Sequence, residues 1–160
     1  MKIKPLIIAE AGLIHDGSIG IAKSFIDKAA ETGVDAVKFQ MHYGDHESSR
    51  YEKFRKKFSY LDKTRKDYWN RTSFNFDQWK YLKKEAEKKK LIFICSPFSL
   101  KAVDYLNNLK VKYWKIASGE FNNMLMIDKI VSKSNSPLIL STGLATKYEI
   151  DKVTKYLKFK

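Results

Sequence analysis

Cys95 is the only cysteine in the chain, so no internal disulfide can form and a reducing compartment is permitted. It sits in an apolar run and reads as a packing residue. No apolar stretch approaches the roughly 20 residues that a helix needs to cross a bilayer, which excludes a helical membrane span. Residues 1 to 12 lack the charged start, apolar centre and small-residue cleavage site of a secretory leader, and the expected address is the cytoplasm. Arginine is scarce as well, at positions 50, 55, 65 and 71 alone, so the net charge of +13 is mostly lysine scattered along the chain. That distribution reads as a solvated surface better than as a nucleic-acid footprint. Histidine occurs three times, as His15, His42 and His46, and no pair has convincing metal-ligand spacing. His42 and His46 are four apart, but Gly44 and the turn-like Tyr43-Gly44-Asp45 argue against a helix there. His15 is a candidate sugar contact in a loop, with loop capping as the commoner role for Asp16. Low-complexity linkers are absent, and no repeat is visible beyond a strand–helix period.

What is present is enough apolar material for one core: 44% hydrophobic and 31% charged residues in 160, the composition of a globular single domain. The pattern reads as five strand-then-helix units. Strands are expected at 5–12, 35–40, 91–98, 111–118 and 137–143. Helices are expected at 18–32, 75–89, 99–108, 123–134 and 146–157, the first capped by Ser18 or Asp16 and closed by Gly33. Near-continuous apolar strands alternating with amphipathic helices indicate a parallel sheet covered by helices, and the fold class is α/β with a TIM-barrel type sheet. Residues 41–73 form a long polar and aromatic connection, which in a compact domain is more often a functional loop or lid than filler. Its basic residues (Arg50, Lys53, Arg55, Lys56, Lys57, Lys63, Arg65, Lys66, Arg71) alternate with Tyr51, Phe54, Phe58, Tyr60, Tyr68 and Trp69. Such a segment can stack single-stranded nucleic acid, but the preferred reading is an insertion packed on its own aromatics.

Three strands end alike. Ile8-Ala9-Glu10-Ala11-Gly12, Val37-Lys38-Phe39-Gln40 and Trp114 to Glu120 each run from apolar residues into charged or amide side chains and then a turn. In a parallel α/β sheet this gathers Glu10, Lys38, Gln40, Lys115 and Glu120 at one rim, where such folds place their sites. A lysine that interrupts a buried strand favours function over solvation, whereas the bland reading of a strand-end glutamate is an ion pair, Glu10 with Lys38 for example. For Ser96, Ser118 and Ser141 ligand binding and helix capping weigh about evenly.

The strings IIAEAGLIHDGSIGIAKSFIDKAAETGVDAVKFQ, FICSPFSLKAVDYL, WKIASGEFNN and PLILSTGLAT closely resemble the N-terminal half of the sialic acid synthase family, which are (β/α)8 barrels. The resemblance covers nearly the whole chain apart from residues 41 to 75. It implies condensation of phosphoenolpyruvate with an N-acetylated aldose such as N-acetylmannosamine, giving a nine-carbon keto acid and phosphate. It also implies a divalent metal, Mn²⁺ or Mg²⁺, whose histidine ligands lie beyond the part of the family that this chain matches. On this resemblance Lys38 and Lys115 clamp the anion, with hydroxyls from Ser96, Ser118 and Ser141 and backbone amides at Gly119 and Gly143. Glu120 is the candidate for acid/base work and Glu10 for the amino-sugar end, with Gln40 and Phe98 shaping the pocket; Glu120, Glu10 and Lys115 are the three expected catalytic groups.

The chain departs from the family at Ile14, where members usually carry Asn before the His15-Asp16-Gly17 loop, and at Ser96, where Thr is common. Set against eight βα units, the match is to about five, so a partial barrel is expected, without the C-terminal half or the antifreeze-like domain of many bacterial members. The sheet is then expected to have open edges at its first and fifth strands and to seek a partner: a separate second half, or a homodimer in the full enzyme. The alternatives are an inactive truncated half-barrel and another phosphoenolpyruvate aldol-type barrel of the 3-deoxy-heptulosonate or 3-deoxy-octulosonate phosphate class.

Overall fold

The computed structural model describes residues 4–54 and 56–159. Arg55, one of the basic residues of the long connection, lies outside the described residues. Five strands form one all-parallel sheet in sequential order: β1 (Ile8–Gly12), β2 (Ala36–Met41), β3 (Ile92–Pro97), β4 (Trp114–Ile116) and β5 (Leu138–Leu140). Between and after them run α1 (Ile19–Glu31), α2 (Gly44–Glu47), α3 (Arg65–Thr72), α4 (Phe76–Lys88), α5 (Leu100–Asn108), α6 (Met124–Val131) and α7 (Lys147–Lys158). Each expected strand and helix is present, but β1, β4 and β5 are shorter than their apolar runs. In β4 and β5 the ladder spans three residues each, and it is extended by the Trp114 N–H donating to the Pro137 carbonyl and the Ser141 N–H to the Ile116 carbonyl.

Alternation along the strands sorts the side chains. Ala9 and Ala11, Val37, Phe39 and Met41, Phe93 and Cys95, and Trp114 and Ile116 point toward the helices and join one apolar cluster with Ile26, Trp79, Leu82 and Leu106. The other parity, Glu10, Lys38, Gln40, Ile94, Ser96 and Lys115, therefore lines the opposite, inner face. β2 and β3, the central strands, are buried almost throughout, whereas β1 and β5 each have one strand neighbour and are half-exposed. Among the described residues no helix is long and apolar enough to cross a membrane.

The helices start where side chains can take the free backbone amides. Ser18 caps α1, Asn75 and Gln78 form a reciprocal capping box on α4, and Thr146 and Glu149 form one on α7. Asp16 is not the cap. It adopts a positive φ in the preceding turn and its carboxylate meets Arg71.

Two expectations are corrected here. Residues 44–47 are helical, and Gly44 lies so close to the carbonyl of Lys66 and the amide of Asn70 that a Cβ would collide with both. The glycine therefore serves a close approach between α2 and α3 rather than breaking the helix. His15 is not a sugar contact: it is fully buried, stacked on Phe74 at 4.4 Å and set edge-on to Trp79, with Nδ1 accepting the Gly17 N–H at 3.1 Å.

Candidate functional site

At the carboxyl end of the sheet the inner face carries a compact polar group. Glu10 and Lys38 are register partners on β1 and β2, and their side chains make an ion pair of 2.7 Å. Lys38 is 8% exposed and Glu10 56%, so the lysine is the enclosed partner and the carboxylate reaches in from the open edge. β1 has a bulge between Glu10 and Gly12, and Gly12 turns the chain with φ +54, a conformation in which a side chain is strained.

Lys115, from β4, enters the same space. Its ammonium donates to Ser141 Oγ and, at 3.1 Å, to the Ile116 carbonyl, and among the described residues no carboxylate lies within ion-pairing distance of it. Burial holds its pKa below the ordinary lysine value, the charge of Lys38 pushes the same way, and Glu10 opposes them. Ser96 stands opposite Gln40 in the β2–β3 register, fully buried, with no partner for its hydroxyl among the described residues. Two ammonium groups, one carboxylate and an unpartnered hydroxyl make an environment with surplus positive charge and free donors. Such a site suits an anion.

A second group sits above it, on the rim. Glu120 lies in the 3-10 turn after β4, Ser118–Glu120, and accepts a hydrogen bond from Asn123 Nδ2 at 2.8 Å. Burial raises its pKa above the ordinary glutamate value and the charge of Glu47 adds to this, while Asn123 and His42 oppose it. Glu120 and Phe98 line a cleft of about 860 Å³ together with His42, Glu47, Arg65 and Trp69. The ring of His42 is stacked between Phe98, at 3.9 Å, and Trp69, at 5.0 Å. His42 also faces Gln40, Nε2 to Oε1 at 3.4 Å, and so joins the cleft to the inner face.

The expected residues thus fall into two adjoining groups at one end of the sheet: Glu10, Lys38, Gln40, Ser96, Lys115 and Ser141 inside, and Phe98 and Glu120 in the cleft. Ser118 is half-buried at the start of the turn, and Gly143 lies beside it, where an added Cβ would just touch the Ser118 side chain. Gly119 lines the cleft, and neither glycine has a positive φ. Sequence reasoning missed His42, Glu47 and Trp69 as parts of the site. The available signal was that the long connection starts directly from the end of a site-bearing strand.

The basic and aromatic connection folds on itself and onto the rim. Phe54 and Tyr68 both meet Phe58, Arg65 pairs with Glu52 and lies over Trp69, Lys66 pairs with Asp45, and Arg71 bridges Asp62 and Asp16. These cations are held by carboxylates of the same domain. As for the divalent metal expected by resemblance, no three His, Cys, Asp or Glu side chains among the described residues are grouped so as to hold an ion. The residues present do not fit a metal site.

Residues 25–160 match the model of the NeuB family. The chain belongs to that family. Among NeuB-like relatives, the N,N'-diacetyllegionaminic acid synthase of Campylobacter jejuni is 37% identical over 157 residues, covering 96% of this chain and 47% of the relative. The human N-acetylneuraminate-9-phosphate synthase is 31% identical over 160 residues, covering 95% of this chain and 43% of its own. Among solved structures, the N-acetylneuraminic acid (sialic acid) synthetase of Leptospira borgpetersenii, in complex with citrate, superposes with a TM-score of 0.80 at 28% identity. That match covers 96% of this chain and 50% of the synthetase. The chain spans about half the length of the NeuB relatives it matches, and its five strands are a partial barrel of TIM type.

Proposed function

We propose that this chain supplies the substrate-binding wall of a phosphoenolpyruvate-dependent synthase that extends an N-acetylated aldose, N-acetylmannosamine or a close analogue, to a nine-carbon acidic sugar. The observation that carries the reading is Lys115: a half-buried ammonium that has no carboxylate partner among the described residues, beside a second ammonium and a buried hydroxyl likewise unpartnered among them. Phosphoenolpyruvate, with a carboxylate and a phosphate, supplies the negative charge that this arrangement lacks. The citrate bound by the Leptospira synthetase is another multiply charged carboxylate, and the curated relatives are named as synthases of sialic-type acids.

In this reading Lys38 and Lys115 hold the anion, Ser96 and Ser141 add hydroxyl contacts, and Ser118 and the Gly143 backbone close the rim. Glu10, half-exposed at the open edge, exchanges its bond to Lys38 for one to the sugar. The new carbon–carbon bond joins the methylene carbon of phosphoenolpyruvate to the aldehyde carbon, whose oxygen takes up a proton. Glu120 is suited to give that proton because burial keeps its carboxyl protonated to higher pH than an ordinary glutamate. The electron-poor carbon left on the pyruvyl unit is captured by water, and the phosphate then departs. Phe98 and Gln40 shape the sugar end. The remaining strands of the barrel, the divalent metal and any second subunit belong in this reading to parts outside the chain.

The test is phosphate release. The complete protein that carries this chain, given phosphoenolpyruvate, N-acetylmannosamine and Mn²⁺, is expected to release phosphate in step with loss of phosphoenolpyruvate. Absence of release with N-acetylmannosamine, its 6-phosphate and the amino-sugar precursors of legionaminic and pseudaminic acids contradicts the reading.

A further inference from the structure

The ring of His42 is contacted at both nitrogens and stacked by two aromatic rings. Nδ1 lies 2.7 Å from Glu47 Oε2, Nε2 lies 3.4 Å from Gln40 Oε1, and both faces are covered, by Phe98 and Trp69. The His42 and Glu47 side chains are 5% and 6% exposed. Glu47 is itself fixed, its other oxygen accepting the backbone N–H of Tyr43. With the carboxylate at Nδ1 and the Gln40 oxygen turned toward Nε2, both neighbours are acceptors, and a ring with a proton on each nitrogen satisfies both contacts. Aromatic faces above and below favour the same charge, because a π face attracts a cation.

We propose that Glu47 and His42 are a positioning pair: the carboxylate holds the ring as an imidazolium, its Nε2–H takes the Gln40 carbonyl, and the Gln40 amide NH2 is left turned toward the inner face. Nothing else among the described residues takes that NH2. A neutral ring donating to Glu47 through Nδ1 leaves Nε2 as an acceptor and turns the amide over, so the charge on His42 decides whether Gln40 offers the site a donor or an acceptor. The charged and titratable groups facing His42 are Glu47 from α2, Glu120 from the turn after β4, His15 from the β1–α1 loop and, beyond Trp69, Arg65 from α3. The ligand group served by Gln40 is then an oxygen acceptor, one pleat beyond Lys38 and opposite Ser96. The pair thus deepens the function proposed above, and only its effect on ligands rests on that reading.

Two measurements on the full chain test it. The first is nuclear magnetic resonance of the ¹⁵N-labelled His42 ring at neutral pH, which is expected to report both nitrogens protonated in the wild type and one of them deprotonated in Glu47→Gln. A neutral wild-type ring, or an unchanged charge in Glu47→Gln, overturns the pair; the wild-type spectrum decides even where the variant does not fold. The second is calorimetric titration with phosphoenolpyruvate and, separately, with N-acetylmannosamine. Loss of one oriented hydrogen bond is expected to weaken at least one ligand about fivefold in Glu47→Gln. Gln40→Met is expected to lose as much, and the double variant no more than either. Unchanged affinities, or losses that add, contradict the positioning role. Should the wild type bind neither ligand, the proposed function fails and the ring's charge alone decides the pair.

Discussion

Lys115 and Lys38 come from different strands, 77 positions apart in number, yet the charge of one helps to lower the pKa of the other. Burial is the larger cause, and both effects make the protonated Lys115 costly in the folded state. Its folded pKa is depressed relative to the unfolded chain, so the cost is present at neutral pH and fades as pH rises from the lowered value toward the ordinary lysine range. Lys115→Met is therefore expected to raise the melting temperature at pH 7 and to lose that advantage in strongly alkaline buffer. Thermal denaturation across pH checks it, and a variant less stable than the wild type at pH 7 contradicts it.

Glu120 is expected to follow the opposite side of the pH scale. Its folded pKa is raised, first by burial and then by Glu47, so the wild type carries a penalty above that raised value and none below the ordinary carboxyl range. Glu120→Gln is expected to stabilise the fold at neutral pH, to leave stability unchanged in acid, and to abolish phosphate release in the complete protein. Denaturant titrations at two pH values check the first part. Equal effects at both contradict it.

His15 makes the fold sensitive to acid. Burial lowers its pKa from 6.5 to about 4, so the unfolded chain takes up a proton that the folded chain refuses. The shift corresponds to about 3 kcal/mol of stability lost as pH falls from 6.5 through 4. His15→Leu is expected to be less stable at neutral pH, because the Gly17 N–H loses its acceptor, but to show a flatter pH dependence in that window. Parallel curves for variant and wild type contradict it.

Arg71 ties the connection to the first loop. It donates from Nε and one terminal nitrogen to Asp62, whose side chain is 4% exposed, and from the same terminal nitrogen to Asp16 at 3.0 Å. Arg71→Ala leaves a buried carboxylate unpaired and is expected to cost about 3 kcal/mol. The loss is expected to appear as faster amide exchange in α3 and the 58–63 stretch, with the β2–β3 pairing unaffected.

Much of the inner face was legible because strand alternation is strict: once Val37, Phe39 and Met41 face the helices, Lys38 and Gln40 must face away, and the same logic places Lys115 between Trp114 and Ile116. The rim was less legible. Helix α3, Arg65–Thr72, has no apolar stripe and is held by a Thr64–Asp67 capping box and by ion pairs to residues far along the chain, which hydrophobic periodicity does not detect. Gly44 misled for a related reason, since its role depends on α3 lying against it. His15 was misplaced because a loop position says nothing of Phe74 and Trp79, which arrive from elsewhere to bury it.

The central claim is that the inner face holds a multiply charged anion between Lys38 and Lys115. Calorimetric titration of phosphoenolpyruvate into the chain, its Lys38→Met and Lys115→Met variants and a surface control such as Lys152→Met tests it most directly. The account predicts saturable binding by wild type and control that weakens with salt and is lost in both inner-face variants. Binding of equal strength in all four proteins, or none in the wild type, contradicts it.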